Sequence, residues 1–278
     1  MAAPISFAVR RRSVLAAALV ACVPFAARSQ QPPPPAATMD MVNLASELLY
    51  SRELERARAK RALDMDRSKL RTARRAAQLL IEAAPSITPA AAGWSWQVDV
   101  ETRDEPIAYC LPGGKVMLST GLVDRMRLTP GEVAVLVSHA IAHALAGHDA
   151  KEAIARVGAM PESPDPNRRI LQLMDALSKL VFATPHDIAT EKAADSLALE
   201  YLARAGIDPE PTVEAWRKVA RAGGTTPPAF LALHPMWSGR IEEIEAQVPA
   251  VLPLYEQAKA EQASRPRAPP VRTRPGAY

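Results

Sequence analysis

Two histidines four residues apart, His139 and His143, lie in the apolar stretch Thr129 to His148, TPGEVAVLVSHAIAHALAGH. At about 100° per residue, that spacing leaves the imidazoles of a helix roughly 40° apart, one turn above the other on the same face. Two imidazoles so placed can grip one divalent metal ion. A further donor is offered downstream by Glu191-Lys-Ala-Ala-Asp195. There Glu191 can act as a carboxylate ligand, and Asp195, one helical turn on, can orient a ligand histidine through its other ring nitrogen. Taken singly, these are also what ordinary helices carry: unrelated histidines, or a charged face. Their combination points to a metal site. His234, before Pro235, is a further candidate, as an oxyanion donor or a metal ligand should the fold bring it to the site; a turn histidine is its plainer reading. Arg240 is placed to brace that loop against a carboxylate.

The residue that follows His139 decides the chemistry. In the zinc-protease signature H-E-x-x-H, the glutamate after the first histidine serves as general base for water. Here the sequence is H-A-I-A-H, with Ala140 at that position. The metal half is written in the chain and the proton-handling half is vacant, which leaves Glu132 and Asp195 as substitute bases to consider. The extended signature, with glycine seven and histidine ten residues after the first histidine, is excluded because Ala146 and Asp149 stand there. His148 falls about 180° round a helix that continues past it, which predicts polar surface. His186, five residues before Glu191, reads as a loop or cap histidine.

Period and punctuation show the elements that must position these groups. Thr129 caps the histidine helix, Pro130 suits its first position, and Glu132 completes a capping box. Glu191 and Asp195 sit in a second helical stretch ending near Gly206. From Met39 to Ala84 the residues Leu70, Ala73, Ala77, Leu80 and Ala84 recur at intervals of three and four, giving one or two helices whose many Arg and Lys form a solvated face. Between Trp94 and Met117 the period becomes extended: Trp94 to Glu101 alternates, Ile107 to Leu111 is a short run, and Lys115 to Leu118 follows a Pro-Gly-Gly turn. A small antiparallel sheet is expected. Pro161 to Asn167 is a proline-rich loop, cover or connector, before a helix from about Arg168 to Phe182. The last helix runs from Ser238 to about Ala260. The expected fold class is mainly α with a small antiparallel β-sheet (α+β), in one domain over residues 38–262.

In this order the motifs resemble the HtpX and CAAX-prenyl-protease family of gluzincin metallopeptidases, in particular its soluble or lipid-anchored bacterial envelope members. The likeness runs from roughly Leu63 to Gln257. It rests on Ala108-Tyr-Cys-Leu-Pro-Gly-Gly-Lys115, Gly121-Leu-Val, the histidine helix, Glu191 with Ala194-Asp195, Tyr201 to Pro209, His234-Pro235 and Arg240-Ile241. It implies a zincin-like metallopeptidase fold with one zinc ion per chain. It also implies that the strand carrying Ile107, Ala108 and Tyr109 lies beside the histidine helix, where it can pair with an unfolded or extended polypeptide. Two positions depart from the family: Ile107 stands where an asparagine is expected, and Ala140 where the catalytic glutamate is. The expectation is an envelope protein of protein quality control that keeps its zinc and has lost most or all of its own proteolysis. The other readings are an active endopeptidase using another base, an active enzyme carrying an inactivating substitution, and a metal-free adaptor.

Arg10-Arg11-Arg12, the apolar run Val14 to Val23 and Ala27-Arg28-Ser29 before Gln30 read as an export signal over residues 1–29, its apolar core too short to span a membrane. Arg11 to Leu15 resembles a twin-arginine signal. Leu19-Val-Ala-Cys22 resembles a lipobox, so Cys22 is a candidate lipid anchor and the one expected tie to a membrane. Gln30 to Ala37 is a proline-rich spacer, and residues 263–278 are an Arg- and Pro-rich tail expected to be disordered. The chain carries 34 Lys plus Arg against 30 Asp plus Glu, and the four arginines of residues 1–29 account for the difference. A balanced remainder argues against a nucleic-acid partner. Cys110 is then the sole cysteine outside the signal, unable to form a disulfide within the chain and expected as a buried strand residue.

Overall fold

The structure, a computed structural model, describes residues 37–161, 165–222 and 229–264. The stretch expected as an export signal, with Cys22, most of the expected spacer, and the tail beyond Ser264 lie outside the described residues. Helix α1 (Met39–Ala59) starts at Thr38, whose hydroxyl accepts from the amide of Met41. Helix α2 (Arg67–Ala83) starts at Asp66, whose carboxylate accepts from the amides of Ser68 and Lys69. The Arg- and Lys-rich stretch is thus two helices, parted where Arg61 and Asp64 take left-handed backbone angles. Leu70, Ala73, Ala77 and Leu80 turn inward from α2, as their spacing requires.

Strands β1 (Gln97–Glu101), β2 (Ala108–Leu111) and β3 (Lys115–Ser119) form one sheet in the order β1-β3-β2. The Pro112-Gly113-Gly114 turn joins β2 and β3 as an antiparallel hairpin with Tyr109 opposite Met117. β1 pairs with β3 in parallel, Val98 opposite Val116, so the sheet is mixed and not antiparallel throughout. Alternation fixes the face a side chain takes and says nothing of strand direction. The other edge of β1 is taken by the chain ahead of α2: Thr102 N–H donates to Ala62 O (2.7 Å) and Asp64 N–H to Val100 O (2.8 Å). The sheet is buried on both faces and divides the core. Ala108, Cys110, Val116 and Leu118 belong to one cluster, while Tyr109, Leu111 and Met117 belong to a second one with Leu49, Ala153 and Leu177.

The remaining helices are α3 (Thr120–Arg125), α4 (Pro130–Ala146), α5 (His148–Gly158), α6 (Pro166–Ala183), α7 (Ile188–Arg204), α8 (Pro211–Arg221), α9 (Ala229–Leu233) and α10 (Arg240–Ser264). Helix α10 ends beyond its expected limit near Ala260, carrying Pro249 and Pro253 within it. α4 is the organising element. Every residue from Glu132 to Leu145 is buried, because the sequence there is apolar all round and such a helix finds no stable place at a surface. Ala134, Ala140 and Ala144 let α2, α7, α8 and β2 close in on it. Leu136 and Ile141, both fully buried, contribute about 1.5–3 kcal/mol each to that packing. Among the described residues no helix is long and apolar enough to cross a membrane.

Candidate metal centre

The capping box at the start of α4 is formed on both sides: Thr129 Oγ1 accepts from Glu132 N–H, and the Glu132 carboxylate accepts from Thr129 N–H. Two turns on, His139 and His143 bring their Nε2 atoms to 3.2 Å of each other. Helix α7 begins at Asp187, whose carboxylate accepts from Thr190 N–H (2.7 Å), and so presents Glu191 from its first turn. Glu191 Oε1 lies 3.3 Å from His143 Nε2, and Oε2 lies 3.5 Å from His139 Nε2. Just past α9, His234 places Nδ1 3.3 Å from His139 Nε2 and 2.9 Å from Glu191 Oε1.

One donor atom from each of these four buried residues lies within 4.8 Å of all the others. Zinc holds nitrogen and oxygen donors tetrahedrally at about 2.0–2.2 Å, which sets neighbouring donors about 3.3–3.5 Å apart. The observed spacings are close to that size, so the residues fit a zinc ion. Their chemistry fits as well, because three imidazole nitrogens converging on a carboxylate are satisfied together by a cation and not by a single shared proton.

Burial pushes His143 well below the ordinary histidine value and lowers His234 too, so both tend to the neutral form that a metal ligand must have. On His139 burial also opposes charge, but Asp195 and Glu191 outweigh it and raise the pKa. Burial alone would raise Glu191. Contacts from His139, His143, His186 and His234 outweigh it and hold that carboxyl far below the usual glutamate range. Asp195 puts Oδ1 3.1 Å from His139 Nδ1, off the N–H axis, and accepts from Arg240 Nε and Nη2 at 2.9 Å each. Arg240 Nη2 also lies 2.7 Å from Glu191 Oε2, and Nη1 donates to Pro235 O at 2.9 Å. Its guanidinium stacks 3.8 Å over the Trp216 ring. One fully buried arginine thereby ties a carboxylate ligand, the carboxylate behind His139 and the loop carrying His234.

Ala140 is 4% exposed and lines a narrow cavity with Ala108, Tyr109, His143, His186 and His234. Neither substitute carboxylate stands in for a base there: Glu132 is held by the capping box and by Lys218 (2.7 Å), and Asp195 by Arg240. β2 is an edge strand packed against α4. Ile107 extends it by one residue, its N–H donating to Ser119 Oγ and its carbonyl accepting from Ser119 N–H, both at 3.0 Å.

Two histidines and an aspartate given no role at the centre by the sequence belong to its surroundings. Gly147 ends α4 in the left-handed conformation (φ 69°), so the chain turns and His148 opens α5 instead of continuing round α4. His148 is half-buried, not polar surface, with Nδ1 3.1 Å from His143 Nδ1. His186 stacks on the His143 ring, 4.2 Å between centroids. It lies between Asp149 Oδ1 and Glu191 Oε1, 3.2 Å from each. The Asp149 contact is a hydrogen bond, whereas the Glu191 contact is off the N–H axis. Burial opposes charge on His186, yet the two carboxylates raise it to about 9. Both histidines had a sequence signal. A glycine directly after the last periodic residue stops a helix, and a histidine just ahead of an N-cap lies near any ligand in the first turn.

The profile of peptidase family M48 matches residues 69–248. The chain is similar to mitochondrial metalloendopeptidase OMA1 of Arabidopsis thaliana, with 30% identity over 51% of this chain and 30% of that protein. The OMA1 of Saccharomyces cerevisiae is 26% identical over 60% of this chain and 51% of its own length. That of Schizosaccharomyces pombe is 31% identical over 55% and 47%. The matched stretch thus spans about half or less of each relative. With the family profile covering most of the described fold and the four donors standing in a zinc-sized cluster, the chain belongs to peptidase family M48, whose members are zinc metallopeptidases.

Proposed function

We propose that the chain is a zinc-loaded envelope protein of this family, acting in protein quality control, which binds extended polypeptide along β2 and hydrolyses it poorly or not at all. On this reading it resembles the soluble or lipid-anchored bacterial envelope members. His139, His143 and Glu191 would hold zinc, with His234 beside it as a fourth ligand or an oxyanion donor, and the ion would supply Lewis acidity toward a peptide carbonyl and water. The chain supplies the rest. β2, at the edge of the sheet beside α4, offers main-chain pairing, and Arg240 holds Glu191 and Asp195 in place. Ala140 carries the reading of low hydrolysis. Amide cleavage needs a group that takes a proton from water and returns it to the leaving nitrogen, and a methyl group can do neither.

The test is Ala140→Glu, compared with the parent chain on unfolded casein at equal zinc occupancy. General acid–base catalysis contributes about 10²- to 10⁴-fold, so the variant should gain a chelator-sensitive rate of that order. Robust chelator-sensitive cleavage by the parent chain would overturn the low-hydrolysis reading. An inert, zinc-loaded Glu variant would show that the deficit is not at residue 140.

A further inference from the structure

The two α4 histidines are oriented by chemically different partners. His139 has the Asp195 carboxylate beside Nδ1, whereas His143 has a second imidazole there, His148 Nδ1 at 3.1 Å. A neutral imidazole carries one N–H, so of two facing Nδ1 atoms one donates and the other accepts. The direction is set by the far side of the ring. His143 Nε2 lies 3.2 Å from His139 Nε2 and 3.3 Å from Glu191 Oε1, inside the donor set, and it can serve a metal only through its lone pair. Its hydrogen must then be on Nδ1, which makes His148 Nδ1 the acceptor. The reverse pairing would aim an N–H at the metal position.

We propose that His148 is a positioning residue for His143: its Nδ1 accepts the His143 Nδ1–H and fixes the tautomer that presents Nε2 to zinc. The backbone is built to deliver it. Gly147 in the left-handed region reverses the chain after α4 (φ 69°), and α5 then packs Ala150, Ala153 and Val157 into the core, which holds its first residue beside His143. An imidazole suits this position because it accepts without adding a further negative charge next to Glu191 and Asp149.

The inference rests on the zinc site described above and is tested by zinc affinity. The full chain, His148→Ala and His148→Asn are each titrated with zinc against a competing chelator, and the melting temperature of each metal-free protein is recorded. Loss of such an outer partner costs about 10- to 100-fold in metal affinity, so the Ala variant should bind zinc weaker by that factor while its metal-free melting temperature holds. In the Asn variant Oδ1 falls where Nδ1 stood, and binding should return close to that of the parent. The inference is overturned if His148→Ala binds as tightly as the parent, if His148→Asn falls with it, or if the loss is matched by a fall in metal-free stability. A parent chain that takes up no zinc would instead remove the site itself.

Discussion

Arg240→Met should be the most damaging single change around the centre. The guanidinium is fully buried and faces two carboxylates, Glu191 Oε2 at 2.7 Å and both Asp195 oxygens at 2.9 Å. Methionine keeps much of the stem and its packing on Trp216 but strands both charges, and removing one partner of a buried ion cluster costs about 3–5 kcal/mol. For a domain of this size that corresponds to a melting-temperature drop of about 6–20 °C. Metal-free protein is the right sample, because bound zinc adds stability by mass action and would mask the loss. Lysine at 240 should fall between, since it keeps the charge but cannot serve Asp195 with two nitrogens while reaching Glu191. In a double-mutant cycle with Asp195→Asn the two losses should be smaller together than summed. A loss below about 1 kcal/mol, the size of an exposed pair, would refute the claim that Arg240 compensates the buried carboxylates.

Asp99 should give stability a pH dependence opposite to that of a salt-bridged carboxylate. Burial, then the neighbouring Asp64 charge, push Asp99 up to about 6 against the Tyr50 hydroxyl and Arg74. The folded chain therefore holds this proton more tightly than the unfolded one. The contribution is full below the ordinary aspartate value of 3.8 and is lost as pH rises through about 6, a fall of at most about 3 kcal/mol. Denaturant titrations between about pH 4 and 7 should show that fall in the parent and not in Asp99→Asn, and superimposable profiles would refute it. For location, fractionation should find the mature chain outside the cytoplasm. Lipid label that vanishes on Cys22→Ser would select anchoring, a mature N-terminus at Gln30 would select the soluble form, and an uncleaved cytoplasmic chain would reject export.

The helices were legible in the sequence because their signals are local. Thr129, Pro130 and Glu132 fixed the start of α4, and the spacing of Leu70, Ala73, Ala77 and Leu80 gave the buried face of α2. Strand direction was not legible, since β1 alternates identically whether it runs parallel or antiparallel to β3. The four donors were legible as residues, two by their helical spacing and two by motif order, but their distances come from packing of α4 against α7 and of the α9 loop over both. His148 was misplaced for a definite reason. An angle of about 180° from His139 holds only for a helix continued through Gly147, and a single left-handed residue there ends that helix.

Residue 140 stands apart from the network that builds the centre. Arg240 holds Glu191 and Asp195, Asp195 stands behind His139, and His148 meets His143; none of these contacts passes through Ala140. Metal holding and proton handling are therefore separable in this architecture, one assigned to a buried web of side chains and the other to a single position on the cavity wall. A buried cluster of two carboxylates, an arginine and three histidines is costly to keep without a cation, and apolar replacements of similar volume would be neutral or stabilising. On the proposed function, that cluster is kept for a use of zinc that does not depend on hydrolysis. The same separability lets Ala140→Glu be read at constant metal occupancy, so that a change in rate reports the base and not the site that surrounds it.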